Sequence, residues 1–88
     1  MKIHPGYLLR EVMDMYIVLG VGSETYAPNR IMSLNGTGAF LWRMLENGAG
    51  RDELAEALVR EYDTDRQTAE KDLDAFLARL REKALIDE

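Results

Sequence analysis

Leu34-Asn35-Gly36-Thr37-Gly38-Ala39-Phe40-Leu41-Trp42 is where the hydrophobic period of this chain changes. Before it, apolar residues come in short β-prone runs; after it, they recur at intervals of three and four. Asn35 and Thr37 each carry a side-chain oxygen that can accept from the free N–H groups of a first helical turn. A helix is therefore expected over residues 36–47. Gly38 within its first turn costs up to ~1 kcal/mol relative to Ala, which points to close packing there. Leu41, Trp42 and Leu45 share one helical face, and Asn47-Gly48 is a stop signal. Trp42 reads as core, because a stripe at this spacing packs a helix onto its neighbours.

Working outward, two more helices are expected downstream. Residues 52–62 place Leu54, Ala55, Leu58, Val59 and Tyr62 in one stripe, with Glu56 and Arg60 paired at i,i+4 on the other side. Thr64-Asp65-Arg66-Gln67 matches a capping box, and a helix over 65–83 follows, with Ala69, Leu73, Phe76, Leu77, Leu80 and Ala84 on one face. Leu85-Ile86 is a short apolar tail that folds back. Upstream, residues 7–13 and 15–21 form a hairpin around Met13-Asp14-Met15, a turn in which Asp14 tolerates the left-handed conformation. Residues 30–34 make a third strand. The expected fold class is α+β: a three-stranded antiparallel sheet followed by three helices, winged-helix-like, in a single domain spanning residues 1–88.

Composition narrows the function. The formal charge is −5, and the acidity is concentrated in the middle helix: residues 50–63 hold Arg51 and Arg60 against Asp52, Glu53, Glu56, Glu61 and Asp63. A nucleic-acid binder needs the opposite sign, since phosphate neutralisation supplies most of its affinity. A winged-helix DNA-binding regulator is the alternative that the helical order allows. Against it, residues 65–83 hold five acidic and five basic side chains and so offer phosphate no net charge. No apolar run approaches the ~20 residues of a membrane span, and the first residues do not form a signal peptide. The chain has no cysteine, which removes disulfides and thiolate chemistry and fits a cytoplasmic location.

Covalent chemistry finds no support. His4 is the only histidine, stands beside Pro5, and lacks an orienting partner. Asp72 and Asp74 are two apart on a helix and diverge; Glu70 and Asp74 share a face that reads as solvated surface. Gly36, Gly38, Gly48 and Gly50 do not make a phosphate loop, because none is followed by Lys-Ser or Lys-Thr. No catalytic residue, metal site or cofactor is expected. The unprotected strand at 30–34 is the more informative feature. An edge strand presents unpaired N–H and C=O groups, to which an extended peptide can add as a further strand. Four or five such bonds at ~1 kcal/mol each and two buried side chains at ~2 kcal/mol each, less the association cost, give roughly micromolar binding. The competing reading covers that edge with the N-terminal arm or a second copy of the chain.

Four segments carry a resemblance: Gly6-Tyr7-Leu8-Leu9-Arg10-Glu11-Val12; Leu34-Asn35-Gly36-Thr37-Gly38-Ala39 with Trp42; Glu61-Tyr62-Asp63; and Asp72-Leu73-x-x-Phe76-Leu77-x-x-Leu80 with Ala84-Leu85-Ile86. In this order and spacing they look like the PqqD-like family, whose members are also called RiPP recognition elements. The resemblance implies a non-catalytic peptide chaperone that captures the leader segment of a ribosomal precursor peptide by strand addition. It then presents the peptide to a modifying enzyme such as a radical maturase, an ATP-dependent enzyme or a protease, acting as a monomer or homodimer. Carried over by position, the groove is Arg30, Ile31, Met32, Ser33 and Leu34 on the strand and Asp72, Ala75, Phe76 and Arg79 on the helix, with Asp72 and Arg79 choosing charges on the leader. The opposite helical flank, Glu70, Asp74, Leu77 and Arg81, is equally open on a helical wheel. Two departures from the pattern stand out: Met13-Asp14-Met15 where relatives often have glycine, and Gly50-Arg51 where the middle helix usually opens on Ser or Thr.

Overall fold

The computed structural model describes residues 1–20 and 32–87. Its elements are β1 (Lys2–Ile3), β2 (Tyr7–Val12), β3 (Met15–Gly20), β4 (Met32–Leu34), α1 (Gly36–Asn47), α2 (Arg51–Tyr62), α3 (Arg66–Glu82) and β5 (Ile86–Asp87). β2, β3 and β4 form an antiparallel sheet in that order, and three helices follow it, so the architecture is α+β. β1 and β5 pair antiparallel as a second, two-stranded sheet. The N-terminal arm is thus engaged with the C-terminal tail and does not cover β4, and the tail is a strand partner as well as an apolar plug.

The hairpin turn differs from its expected form. Val12 pairs with Met15, leaving Met13 and Asp14 as the loop. The left-handed residue is Met13, with φ 57°, and not Asp14. A two-residue loop with positive φ at its first position is the place that a type II′ turn assigns to glycine. Met13 holds this conformation 91% exposed, so no packing contact repays the strain.

The helix caps follow local chemistry. The Asn35 side chain accepts from Gly38 N–H at 2.8 Å, while Thr37 has no capping role. α3 is capped by Asp65, which accepts from Thr68 N–H at 3.0 Å. The capping box expected from Thr64 is therefore displaced by one residue. That hydrogen bond holds the Asp65 carboxyl below its ordinary range, so its stabilisation is present above about pH 4 and is lost as pH falls through the lowered value. Gly50 offers α2 no side chain, but Glu53 accepts from the Gly50 N–H at 3.2 Å, which supplies half of a capping box.

α3 ends in a Schellman motif: Leu85 N–H donates to Leu80 C=O at 2.9 Å and Ala84 N–H to Arg81 C=O at 3.0 Å. Ala84 occupies the left-handed position, with φ 55°. Leu80 and Leu85 are both fully buried and complete the motif's apolar contact. Ala84→Gly removes the Cβ strain and keeps every bond. It is expected to stabilise the chain by about 1 kcal/mol, read as a higher urea midpoint with an unchanged slope.

One core joins these elements. Val18, Met32 and Leu34 of the sheet meet Leu41, Trp42 and Leu45 of α1, Leu54 and Leu58 of α2, and Leu73, Leu77 and Leu80 of α3. Trp42 is completely buried, and its indole N–H has no acceptor among the described residues. Gly38 is buried where α1 starts beside the end of β4; a Cβ there would stand 3.2 Å from Leu34 Cβ and 3.3 Å from the capping Asn35 oxygen. The close approach expected of this glycine is to the edge strand itself.

Candidate functional site

β4 is an edge, and the hairpin register determines which of its groups face outward. A two-residue hairpin loop closes on a hydrogen-bonded pair, here Val12 and Met15. Backbone groups alternate along a strand, so Met15, Ile17 and Leu19 address β2, while Tyr16 and Val18 address β4. Tyr16 stands opposite Leu34 and Val18 opposite Met32. Ser33, opposite Ile17, therefore turns its N–H and C=O away from the sheet. Among the described residues the edge offers one residue's pair of backbone groups, fewer than the four or five bonds expected of a longer strand. Arg30 and Ile31 lie outside the described residues.

The outward carbonyl is already in contact with α3. The Arg79 guanidinium donates to Ser33 C=O at 3.2 Å, an exposed bond 46 residues apart in sequence. Next to this bond lies a cavity of about 310 Å³ lined by Asn35, Thr37, Gly38, Leu41, Asp72, Ala75, Phe76 and Arg79. Its floor is apolar, from Leu41 and the buried Phe76 ring; its rim is polar, from Asn35, Thr37, Asp72 and Arg79. Met32 and Leu34 are buried beneath the strand and Ser33 is exposed, so β4 alternates inward and outward in the usual way. The four helical residues Asp72, Ala75, Phe76 and Arg79 thus stand together beside β4.

The opposite flank faces elsewhere. Arg51 at the start of α2 forms a two-pronged contact with Asp74, both bonds at 2.9 Å, and reaches Glu70 at 3.6 Å. Arg66 bridges Asp52 at 3.0 Å and Glu70 at 2.6 Å. Hydrogen bonding from Arg51 lowers the Asp74 carboxyl below its ordinary range, and Asp74 in turn holds Arg51 charged. Leu77 is fully buried. Glu70, Asp74 and Leu77 therefore belong to the α2–α3 seam and the core. The Glu56–Arg60 pair expected from spacing does not form. Sequence spacing left the two flanks of α3 equivalent; Arg51, 23 residues from Asp74, and Arg79, 46 residues from Ser33, distinguish them.

Sequence reasoning missed Asn35, Thr37, Gly38 and Leu41 as cavity walls. The unusual Gly38 in a first helical turn was the signal that could have found them, since it marks where α1 approaches β4. Asp72 and Thr37 also line a second cavity, of about 280 Å³, with Leu58, Tyr62, Thr64 and Ala69. Phe40 meets the Tyr62 ring edge-on at 5.8 Å. No helix among the described residues is long and apolar enough to cross a membrane.

Comparison with known proteins finds a match over residues 16–86 to the family described as coenzyme PQQ synthesis protein D (PqqD). Two solved structures are similar over nearly the full length. One, TbiB1 in complex with the TbiA(beta) leader peptide, is 30% identical, covers 99% of this chain and 95% of that one, and superposes with a TM-score of 0.78. The other, lasso peptide synthetase B1 complexed with the leader peptide, is 24% identical, covers 96% and 93%, and has a TM-score of 0.73. The latter likeness is one of fold. No curated protein matches the chain.

Proposed function

We propose that this chain, which belongs to the PqqD family, captures the leader segment of a ribosomal precursor peptide and presents the rest of that peptide to a modifying enzyme. The observation that carries the reading is the outward Ser33 backbone on a short edge strand, set beside an apolar-floored cavity under α3. A leader entering as a strand pairs with Ser33 and lays a side chain over Leu41, Ala75 and Phe76. The 30% identity to TbiB1, a protein solved with a leader peptide, supports the same use here. Peptide capture by strand addition needs no catalytic group; the chain's contribution is affinity and orientation. The partner that acts on the held peptide is a maturation enzyme of the radical, ATP-dependent or protease type, and the chain works as a monomer or homodimer in the cytoplasm.

The test is a titration of isotopically labelled protein with leader peptides, beginning with the TbiA(beta) leader and the leader of any precursor encoded beside this chain. The expected result is saturable movement of amide signals in residues 32–34 and 72–79, with a dissociation constant on the order of micromolar. Leaders that bind nowhere, or that move only signals remote from β4 and α3, sink the proposal.

A further inference from the structure

Two opposite charges stand in the groove wall without a neutralising partner. Arg79 donates to the Ser33 carbonyl and forms no ion pair among the described residues. Asp72, also exposed, makes neither an ion pair nor a hydrogen bond among them. The two are seven residues apart on α3, which is two turns on one face and about 10.5 Å along the axis, too far to pair with each other. On the other flank, Arg66, Glu70 and Asp74 of α3 are tied to Arg51 and Asp52 of α2 in the α2–α3 seam.

Their positions along the groove are distinct. Arg79 sits at Ser33, in the middle of β4. Asp72 shares both cavities with Thr37, so it lies past the C-terminal end of β4, beside the first turn of α1. A guest strand must place one of its N–H groups on the Ser33 carbonyl, the acceptor that Arg79 now occupies. Strand addition therefore competes with the guanidinium for that carbonyl and sets it beside the guest, whose side chains can supply an anion. In the free chain the same guanidinium blunts the open edge.

We propose that the guest is recognised by the order of its charges: a Lys or Arg facing Asp72, followed roughly two or four residues later, on the same face of its strand, by an Asp or Glu facing Arg79. The inference rests on the peptide-capture reading above. The spacing comes from about 10.5 Å of helix set against the roughly 3.3 Å rise of an extended chain, whose side chains share a face only at every second residue. The direction comes from the sheet, whose two pairings are both antiparallel. A guest that continues this pattern runs against β4 and meets the Asn35 end, and with it Asp72, before it meets Ser33 and Arg79.

Selection of short random displayed peptides on the native chain tests this. Binders that move the Ser33 and Ala75 amides are expected to carry the cation first, and to bind about fivefold more tightly than their charge-reversed versions. The double variant Asp72→Lys with Arg79→Glu changes two exposed positions, so its fold is expected to be kept, as circular dichroism will show. It should select the anion first. Groove binders with no charge order, or an order that the double variant leaves unchanged, overturn the inference while peptide capture stands. A library that yields no groove binder overturns both.

Discussion

Trp42→Ala is expected to remove the cooperative thermal transition of this chain or to lower its midpoint by about 15–30 °C. Trp42 is fully enclosed by the helices and the sheet. Truncating a buried Trp to Ala costs ~3–5 kcal/mol, from lost transfer energy and the void left behind. At 0.05–0.15 kcal/mol per residue a chain of this length holds roughly 4–13 kcal/mol in total, so one substitution consumes a large share. Leu41, the preceding residue of α1, shares the core with Trp42 and lines the groove cavity. Leader binding should therefore fall together with helical signal, read by circular dichroism during heating. A midpoint within about 5 °C of the native one would mean that Trp42 does not organise the core.

Ser33→Pro is expected to separate binding from folding. Because Ser33 directs its N–H away from β3, proline removes no bond of the sheet. Edge strands tolerate proline where the N–H faces outward. The thermal midpoint should stay within a few degrees of native, on the order of 1 kcal/mol in stability. Leader affinity should fall at least tenfold, since the guest loses a backbone donor worth ~1 kcal/mol net and meets the ring in its path. Ser33→Ala, which keeps the backbone, should change affinity by less than about twofold. A proline variant that binds leader at native strength would show that the peptide does not add to β4.

The three helices were readable because each has a stripe long enough to show its period and an acid, amide or glycine that marks an end. The junction at Leu34–Trp42 is the clearest case: Asn35 caps, Gly38 packs and Trp42 is buried. What escaped reading depended on neighbours distant in sequence. β1 and β5 are two residues each, too short for a period, and exist because the chain ends meet. The cap of α3 is local by contrast: Thr64 and Asp65 both carry capping oxygens, and Asp65 is the one that accepts from Thr68 N–H. The left-handed residue fell on Met13 rather than Asp14 because the hairpin register, with Val12 opposite Met15, determines which loop position takes positive φ. For the proposed groove, position in the chain pointed to the strand and the helix but could not choose which flank faces β4. That choice comes from Arg51 drawing Asp74 toward α2 and from Arg79 reaching β4.

The β1–β5 clasp sets Lys2 against Asp87. The polypeptide therefore enters and leaves this fold at one spot, held shut by backbone bonds. A host protein can carry such a unit as a cassette spliced into a surface loop, because the two junctions are neighbours and the host's own loop need not be pried apart.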